Sequence, residues 1–201
     1  MRIAIAKESI PFVTVLAVVS IAVGVWRPWV AAVPLVLLAF VLWFFRDPER
    51  SFDAPPGSVL SPADGRIVRV GEDRISVFLN VFNVHVCRSP VAGRVRSVVS
   101  TPGRFLAAFK DEASEHNERT TIALEGPDYR LDLVMVAGLI ARRIVPWVAE
   151  GREVESGERV EIIRFGSRVD LRLPPGSRPT VKIGDRVRGG LSVIARLGGV
   201  D

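Results

Sequence analysis

The sequence predicts a mainly β domain that follows an N-terminal two-helix transmembrane hairpin. Two long apolar stretches stand near the start of the chain, whereas the rest consists of short β-branched runs separated by glycine and proline. Two pairs of internal sequence repeats further predict that the β domain is a compact sandwich or barrel-like fold with pseudo-repeats. Residues 1–50 are therefore expected to form a membrane anchor, and residues 51–201 a separate β domain.

The first apolar stretch covers residues 10–26 and the second covers residues 29–45, and neither contains a charged residue. Each is about as long as a helix needs to cross a hydrocarbon layer of ~30 Å at ~1.5 Å per residue. Only Arg27 and Pro28 lie between them, which leaves room for no more than a tight reversal. The alternatives are a pair of buried core helices and a cleaved signal peptide, but a signal peptide has one shorter apolar core and no second span.

Basic residues flank the hairpin asymmetrically. Arg2 and Lys7 precede it and Arg46 and Arg50 follow it, whereas the reversal carries only Arg27. Because basic flanking segments remain on the cytoplasmic side, both ends of the hairpin are expected there. The sequence thus predicts a cell-membrane protein whose β domain faces the cytoplasm.

Charge and cysteine content restrict the partners and cofactors. The formal net charge is +5, and a basic domain at a bilayer is attracted to anionic lipid headgroups. Nucleic acid is the competing explanation, but the basic residues are scattered, with no basic run interleaved with aromatic residues, so no nucleic-acid partner is expected. The single cysteine, Cys87, excludes an internal disulfide and a cysteine-based metal cluster, and it agrees with a reducing compartment.

The β domain is predicted from short runs rich in Val, Ile and Leu that are bounded by Gly, Pro and polar turn residues. Their spacing is typical of a mostly antiparallel β fold. Residues 105–118 alone have the composition of a helix or an ordered loop. The predicted strands are residues 67–70, 75–79, 84–86, 95–100, 120–124, 131–136, 160–165, 169–173 and 191–197.

Two sequence patterns each occur twice in the β domain. Residues 61–67, Ser-Pro-Ala-Asp-Gly-Arg-Ile, recur as Ser-Pro-Val-Ala-Gly-Arg-Val at 89–95, and glycine alternates with valine at three-residue spacing in both 151–160 and 184–193. Glycine at such spacing suits tight turns and crossovers, as in β sandwiches of the biotinyl-carrier kind. A carrier would need a lysine at a hairpin tip, and neither pattern has one, so the repeats indicate architecture rather than function.

Three polar residues stand out, although each has an ordinary structural explanation. Ser167 follows Gly166 between two strand-like runs, where a Gly-Ser pair usually forms a turn. His85 is one of two histidines and lies in a predicted strand, where a histidine is more often structural than catalytic. Asp64 lies in a Ser-Pro-Ala-Asp-Gly segment and would by itself be an Asx-turn residue. None of these residues predicts a reaction alone.

Six motifs occur in order along the chain, and their combination is far more specific than any one of them. They are Phe-Arg-Asp-Pro at 45–48, Ser-Pro-Ala-Asp-Gly at 61–65, Asn-Val-His-Val at 83–86, Ala-Ser-Glu-x-Asn-Glu-Arg at 113–119, Gly-x-Ile-Ala-Arg-Arg-Ile at 138–144 and Phe-Gly-Ser-Arg-Val-Asp at 165–170. The series closely resembles the short, membrane-anchored phosphatidylserine decarboxylase proenzymes, which are pyruvoyl-dependent decarboxylases. The resemblance runs from residue 44 to the C-terminus, and the two-span anchor agrees with it.

The resemblance implies that the chain cuts itself at the Gly166–Ser167 bond. In that family the serine hydroxyl attacks the preceding carbonyl carbon, β-elimination splits the resulting ester, and the new terminal residue becomes a pyruvoyl group with loss of ammonia. The products would be a β chain of residues 1–166 and an α chain of residues 167–201, held together as a heterodimer. The pyruvoyl group derived from Ser167 would be the covalent cofactor, and no metal is needed.

The resemblance also assigns roles to two further residues. His85 and Asp64 match the base and the orienting carboxylate that activate the family's serine, in the chain order Asp64–His85–Ser167. The pyruvoyl carbonyl would then form a Schiff base with the amine of phosphatidylserine and accept the electrons left by departing CO₂. Phosphatidylserine in the bilayer would be the substrate and phosphatidylethanolamine the product.

Four residues depart from the family's pattern. Phe82 stands where some relatives carry a second histidine, so His85 or another group has to donate the proton after decarboxylation. Cys87 replaces a common asparagine, His116 stands where an acidic residue is common, and Glu161 replaces a small residue. These departures concern the acid–base roles rather than the reaction class.

Substrate contacts and two alternatives stay open at the level of sequence. Arg88, Arg119 and Arg142 are candidates to contact the phosphate or carboxylate of the substrate. The same chemistry on another serine-headed lipid, such as an ether lipid, is one alternative. A non-catalytic, membrane-tethered, carrier-like β module is an alternative from a different class. Strand edges in such domains also allow a higher oligomer.

Overall fold

The computed structural model describes residues 3–106, 116–138, 144–163 and 167–198. The chain divides into two compact units, Met1–Glu49 and Arg50–Asp201. Most of the predicted helix or ordered loop at 105–118 lies outside the described residues, as do Arg142 and Gly166.

The first unit is a helical hairpin closed by a short strand pair. A 3-10 turn, Lys7–Ser9, leads into helix α1, Ile10–Trp26, and helix α2 covers Ala32–Phe44. Strand β1, Ile3–Ile5, pairs antiparallel with strand β2, Arg46–Pro48, so the two ends of the hairpin meet. The sequence patterns do not predict this pair because strands of three residues show no periodicity.

The two helices differ in length. The segment Lys7–Trp26 is long and apolar enough to cross a membrane, and its apolar side chains remain exposed, with Val18 at 60% and Ile21 at 68%. Helix α2 has 13 residues, or about 20 Å, which is less than the ~30 Å of a hydrocarbon layer. The second span is therefore shorter than the sequence predicts, because residues 28–31 form the turn between the helices.

The second unit consists of short strands in three sheets. Every pairing among its strands is antiparallel. The strands are β3 (Ser58–Leu60), β4 (Gly65–Val70), β5 (Arg74–Leu79), β6 (Val86–Arg88), β7 (Gly93–Thr101), β8 (Arg119–Glu125), β9 (Arg130–Val136), β10 (Ile144–Pro146), β11 (Glu153–Val154), β12 (Arg159–Ile163), β13 (Ser167–Arg172), β14 (Arg178–Pro179), β15 (Arg186–Val187) and β16 (Val193–Arg196).

The largest sheet is curled and has eight strands in the order β11-β7-β8-β9-β13-β5-β4-β15, and the smaller sheets are β10-β12-β6 and β14-β16-β3. Alternate residues of the large sheet point into one hydrophobic core, where Ile67, Val77 and Val169 lie in register on adjacent strands. Val160 and Ile194 of the two smaller sheets belong to the same core. The mainly β fold class predicted from the sequence is confirmed.

One predicted strand begins later than expected. Strand β6 starts at Val86, so residues 84 and 85 lie outside the strand, directly after a turn at residues 80–83. Asn83 Oδ1 accepts a hydrogen bond from the Asn80 N–H at 2.9 Å, and Asn80 Oδ1 accepts one from the Phe82 N–H at 2.8 Å. Asparagine side chains favour such local bonds over strand pairing. His85 consequently lies in a connection rather than in a strand.

The repeats at 61–67 and 89–95 pair with each other. The Leu60 N–H donates to the Pro90 carbonyl oxygen and the Arg88 N–H donates to the Pro62 carbonyl oxygen, both at 2.8 Å. The two bonds are equivalent under exchange of the repeats, so the second unit contains a pseudo-twofold arrangement.

The glycine–valine segments complete this arrangement. The Gly190 N–H donates to the Ser61 carbonyl oxygen, and the Gly157 N–H donates to the Ser89 carbonyl oxygen, both at 2.8 Å. In the same way, β15 adds to the edge of β4 and β11 adds to the edge of β7. One half of this arrangement contains residues 61–67 and 184–193, and the other half contains the equivalent residues 89–95 and 151–160.

Candidate active site

Two connections join the eight-stranded sheet to the sheet β10-β12-β6. One runs from β5 to β6 and holds His85, and the other runs from β12 to β13 and holds the predicted cleavage site. Ser167, the first residue of β13, is paired with Leu79, the last residue of β5. Ile163, the last residue of β12, donates its N–H to the carbonyl oxygen of His85 at 3.2 Å. The pairings therefore place His85 against the end of β12, and Ser167 against the end of β5, where the connection that holds His85 starts.

The Ser167 side chain is fully buried. Its Oγ has no hydrogen-bond partner among the residues that the structure describes. A buried hydroxyl without a partner is unusual in a folded protein and costs about 1–3 kcal/mol. Ser58, Ser76 and Ser156 also have buried hydroxyls without a partner in the described part of the chain, so Ser167 is a candidate for a chemical role because it belongs to the Gly166–Ser167 pair.

His85 is also fully buried, and the structure indicates which of its nitrogens can act as a base. Nδ1 lies 2.9 Å from the carbonyl oxygen of Asn83. Because a carbonyl oxygen can only accept a hydrogen bond, Nδ1 must carry the proton in this contact. The lone pair of a neutral His85 is therefore on Nε2.

Asp64 is held by a cation and a backbone amide. Arg50 Nη1 and Nη2 lie 2.5 and 2.9 Å from the two carboxylate oxygens, and the Gly189 N–H donates to Oδ1 at 2.8 Å. In this structure the Asn83 carbonyl, rather than the Asp64 carboxylate, orients Nδ1 of His85. The orienting role of Asp64 stays a prediction.

Sequence reasoning missed the contribution of Arg50. Its side chain joins Asp64 to the turn at 189, because Nη1 also donates to the Gly189 carbonyl oxygen at 2.7 Å. In the sequence, the only indication that Arg50 contributes to the site is that it directly follows the Phe-Arg-Asp-Pro-Glu segment.

Two departures from the family's pattern face each other in the structure. Cys87 of β6 and Glu161 of β12 are direct cross-strand partners, and both are fully buried. Burial raises the pKa of the Glu161 carboxyl well above its usual range, and neither carboxyl oxygen has a hydrogen-bond partner in the described part of the chain. Burial, and then the nearby Glu161 and Asp64, raise the pKa of the Cys87 thiol. Burial thus favours the protonated form of Glu161, and the Cys87 thiol is not a thiolate near neutral pH.

The two predicted substrate arginines that the structure describes, Arg88 and Arg119, lie in different sheets. Arg88 is buried in β6 and donates from Nη1 to the Gly157 carbonyl oxygen at 2.9 Å, which is a structural contact. Arg119 is half-buried in the large sheet, opposite Val136 of β9. Arg142 lies outside the described residues, so contacts of these three residues with a substrate stay predictions.

Directly after the cleavage site, Arg168 supplies a buried charge that the sequence analysis did not assign a role. It is fully buried, and its Nε donates to Asp170 Oδ1 at 2.7 Å. Asp170 also lies 3.7 Å from Arg74 of β5. These contacts fix the first residues of β13 and so hold the position of Ser167.

Metal binding has no support in the described ranges, where no group of three or more His, Cys, Asp or Glu side chains could hold an ion. The second histidine, His116, is exposed, whereas His85 is buried beside the cleavage connection. His85 is therefore the better placed of the two histidines to act on Ser167.

The family model described as phosphatidylserine decarboxylase matches residues 37–195, which is most of the chain. The chain belongs to the phosphatidylserine decarboxylase family. Members of this family are enzymes that decarboxylate, so the chain is a decarboxylase rather than a non-catalytic carrier-like module.

Similar proteins named phosphatidylserine decarboxylase proenzyme match the chain over nearly its whole length. The protein of Burkholderia pseudomallei is 45% identical over 211 residues, which cover 96% of this chain and 95% of the relative. The protein of Magnetococcus marinus is 43% identical over 210 residues, covering 97% and 96%. The protein of Syntrophus aciditrophicus is 41% identical over 202 residues, covering 94% and 95%. The predicted family is confirmed.

Proposed function

We propose that this protein is a self-processing phosphatidylserine decarboxylase that depends on a pyruvoyl group formed from Ser167. The observation that carries the proposal is the buried Ser167 hydroxyl, which lacks a hydrogen-bond partner among the described residues. Ser167 begins β13 and is paired with the end of β5, from which the connection that holds His85 starts. Membership of the decarboxylase family supports the reaction class.

Processing starts with proton transfer from Ser167 Oγ to His85 Nε2. As Oγ loses its proton, it attacks the carbonyl carbon of Gly166, the peptide C–N bond breaks, and His85 returns the proton to the released amine. An ester now joins Gly166 to the Ser167 side chain. Loss of the Ser167 Cα proton and cleavage of its Cβ–Oγ bond free the Gly166 carboxylate. Hydrolysis of the remaining enamine releases ammonia.

Asp64 assists this step at a distance. Its carboxylate is close enough to raise the pKa of the Cys87 thiol, two residues after His85. Arg50 holds the Asp64 carboxylate in place. The negative charge of this carboxylate stabilises the imidazolium that forms when His85 accepts the proton. The carboxylate thereby lowers the barrier to attack without a direct hydrogen bond to the ring.

The surroundings of Ser167 fit a pyruvoyl group. The site is fully buried, and β13 is paired on both sides, with β5 and with β9, so the new terminus stays in place. When present, the group supplies an electron sink for loss of CO₂ from an amino-acid headgroup. His85 then holds and delivers the proton that replaces the CO₂.

We further propose that the helical hairpin inserts in the cell membrane and that the β domain lies on its cytoplasmic side. The apolar length of Lys7–Trp26 and the basic flanks of the hairpin support this arrangement. The two chains produced by cleavage would remain associated as a heterodimer. Phosphatidylserine in the bilayer would then reach the site without leaving the membrane.

Release of CO₂ from phosphatidylserine tests the proposed function. The purified full chain in detergent micelles is expected to release CO₂ from diacyl phosphatidylserine, and its Ser167→Ala variant is expected to fold but release none. An ether-linked phosphatidylserine, assayed in parallel, shows whether the linkage of the tails matters. The proposal fails if neither lipid is decarboxylated by the unmutated protein.

A further inference from the structure

A cleft of about 750 Å³ borders the candidate active site, with Asp64 and Asn83 on one side of its lining and three arginines without an assigned role among the other lining residues. Three exposed arginines line it: Arg66 of β4, Arg186 of β15, and Arg188. Within the described part of the chain, none of their guanidinium groups makes an ion pair or a hydrogen bond. The cleft therefore concentrates positive charge that the protein does not neutralise.

The register of the sheet brings two of these charges together. Arg186 is the direct cross-strand partner of Arg66. Side chains at such positions share a face with Cβ atoms about 5 Å apart, and like charges there are destabilising. Arg188 is two residues beyond Arg186, so it projects from the same side of the chain. An anion between the three guanidinium groups would relieve the repulsion.

The pseudo-twofold arrangement supplies an internal comparison. Arg94 of β7 is the counterpart of Arg66, and Glu153 of β11 is the counterpart of Arg186. At that equivalent position the fold thus places an opposite charge, Glu153, directly across from the arginine. The architecture does not require two arginines to face each other at this position.

Arg178 and Arg196 also face each other, but the acidic residues Glu72 and Asp73 line the cleft beside Arg178. In the cleft at Arg66 and Arg186 the only carboxylate among the lining residues that the structure describes is Asp64, which is already paired with Arg50.

An apolar tip borders the same cleft. The turn at 80–83 exposes Val81 to 37% and Phe82 to 66%, and Phe82 lines the cleft. The hydrogen bonds between Asn80 and residues 82 and 83 hold the turn in shape. An exposed aromatic and an exposed aliphatic side chain beside unpaired basic groups are typical of surfaces that bind the interface of an anionic membrane.

We propose that this surface, formed by Arg66, Arg186, Arg188 and the tip Val81–Phe82, docks on the face of a bilayer that contains anionic phospholipids. A lipid phosphodiester occupies the arginine cleft, and the tip enters the interface between headgroups and acyl chains. A free phosphate ion would use the charges but would leave the apolar tip in water. The inference goes beyond the proposed function, because docking does not depend on processing at Ser167.

The size of the effect follows from the charges. Each basic residue near an anionic bilayer surface contributes about 1 kcal/mol, or roughly fivefold in the binding equilibrium. Removal of three arginines should therefore weaken docking by about a hundredfold. Added salt should weaken it as well, because exposed charges are screened beyond about 10 Å at ~0.1 M ionic strength.

An environment-sensitive fluorophore at the tip reports docking without any need for catalysis. The full chain carrying Ser167→Ala and Phe82→Cys is labelled and placed in nanodiscs of phosphatidylcholine, with or without phosphatidylglycerol. The native Cys87 is buried and does not take the label. With phosphatidylglycerol we expect a blue-shifted emission that lipid-borne quenchers reduce, and inorganic phosphate at equal ionic strength should not reverse it.

Matched variants distinguish the effect of the cleft arginines from the effect of overall net charge. The triple variant Arg66→Gln, Arg186→Gln, Arg188→Gln should lose the blue shift. A control variant with Arg96, Arg178 and Arg196, three exposed arginines outside the cleft, changed to Gln should keep it at the same net charge. Arg186→Glu alone recreates the pairing that the fold uses at Arg94 and Glu153, so it should fold normally and still weaken docking.

The position of the label provides the last control. Glu72 is exposed in the hairpin at the other end of β5 from the tip. A label at Glu72→Cys should show the emission typical of an aqueous environment in every nanodisc. The proposal is overturned if the label at 82 behaves identically with and without phosphatidylglycerol, if both triple variants change it equally, or if the label at 72 shifts in the same way.

Discussion

A single contact, between His85 Nδ1 and the Asn83 carbonyl oxygen at 2.9 Å, determines which nitrogen of the histidine can accept a proton. The contact uses the backbone, so the orientation of the ring depends on the shape of the turn at 80–83 and not on a carboxylate. The chemistry of processing therefore rests on local folding as much as on the identity of His85.

The first residue-scale prediction concerns the base. His85→Ala should slow cleavage of the Gly166–Ser167 bond by about 10²–10⁴, the usual contribution of general acid–base catalysis. His116→Ala, which removes an exposed histidine, should process at the normal rate. Gel electrophoresis of samples taken during expression measures both rates. Normal cleavage in the His85 variant would show that another group is the base.

The second residue-scale prediction concerns Glu161. Because burial raises its pKa in the folded chain, the folded state holds the proton at pH values where the unfolded state has released it. Its contribution to stability is complete below the unfolded pKa of about 4.5 and declines as pH rises toward the folded pKa. The slope in that window is at most about 1.4 kcal/mol per pH unit.

Glu161→Gln removes this titration, so the variant should gain stability relative to the unmutated chain as pH increases. Thermal unfolding of the uncleaved Ser167→Ala protein, with and without Glu161→Gln, measures the difference at about pH 5 and about pH 8. Glu72→Gln, at an exposed site, serves as the control. A difference that does not change with pH would contradict a buried, protonated Glu161.

At the scale of elements, strand β13 carries both the start of the predicted α chain and the means of keeping it in place. It is paired along its length with β5 and β9, and β16, also from the α chain, is paired with β3. Cleavage before Ser167 removes one peptide bond but none of these pairings. The two chains should therefore remain together.

Association of the chains can be tested with one buried and one exposed residue of β13. Leu171 is fully buried in the core, so Leu171→Ala should cost about 2–5 kcal/mol and lower the urea concentration that separates the chains. Arg172→Ala, at the neighbouring exposed position, should change it little. Size-exclusion chromatography across a urea series measures the separation. Equal effects of both substitutions would argue against β13 as the element that retains the α chain.

Local pattern predicted most strands but few of their pairings. The run 120–124 alternates buried and partly buried residues and was located correctly, because alternation is a local property of a half-buried strand. The partnership of Cys87 with Glu161 and that of Arg50 with Asp64 join distant parts of the chain. A local sequence pattern does not show which distant residues come together, so these contacts at the site could not be predicted from the sequence.

At the scale of the whole molecule, the chain combines an apolar hairpin with a β unit built around a pseudo-twofold arrangement. The two repeats have diverged in chemistry: one carries Asp64, while Ala92 occupies the equivalent place in the other. Likewise, Arg66 faces Arg186, but Arg94 faces Glu153. A symmetric framework has thus placed Asp64 and the basic cleft in the same half.

Denaturing mass spectrometry of the purified full chain tests the central claim, self-processing at Ser167, most directly. The account predicts two species, residues 1–166 and residues 167–201, with a pyruvoyl group in place of a free amino terminus on the second. Ser167→Ala should yield one uncut chain. A single intact species of 22.0 kDa from the unmutated protein would contradict the account.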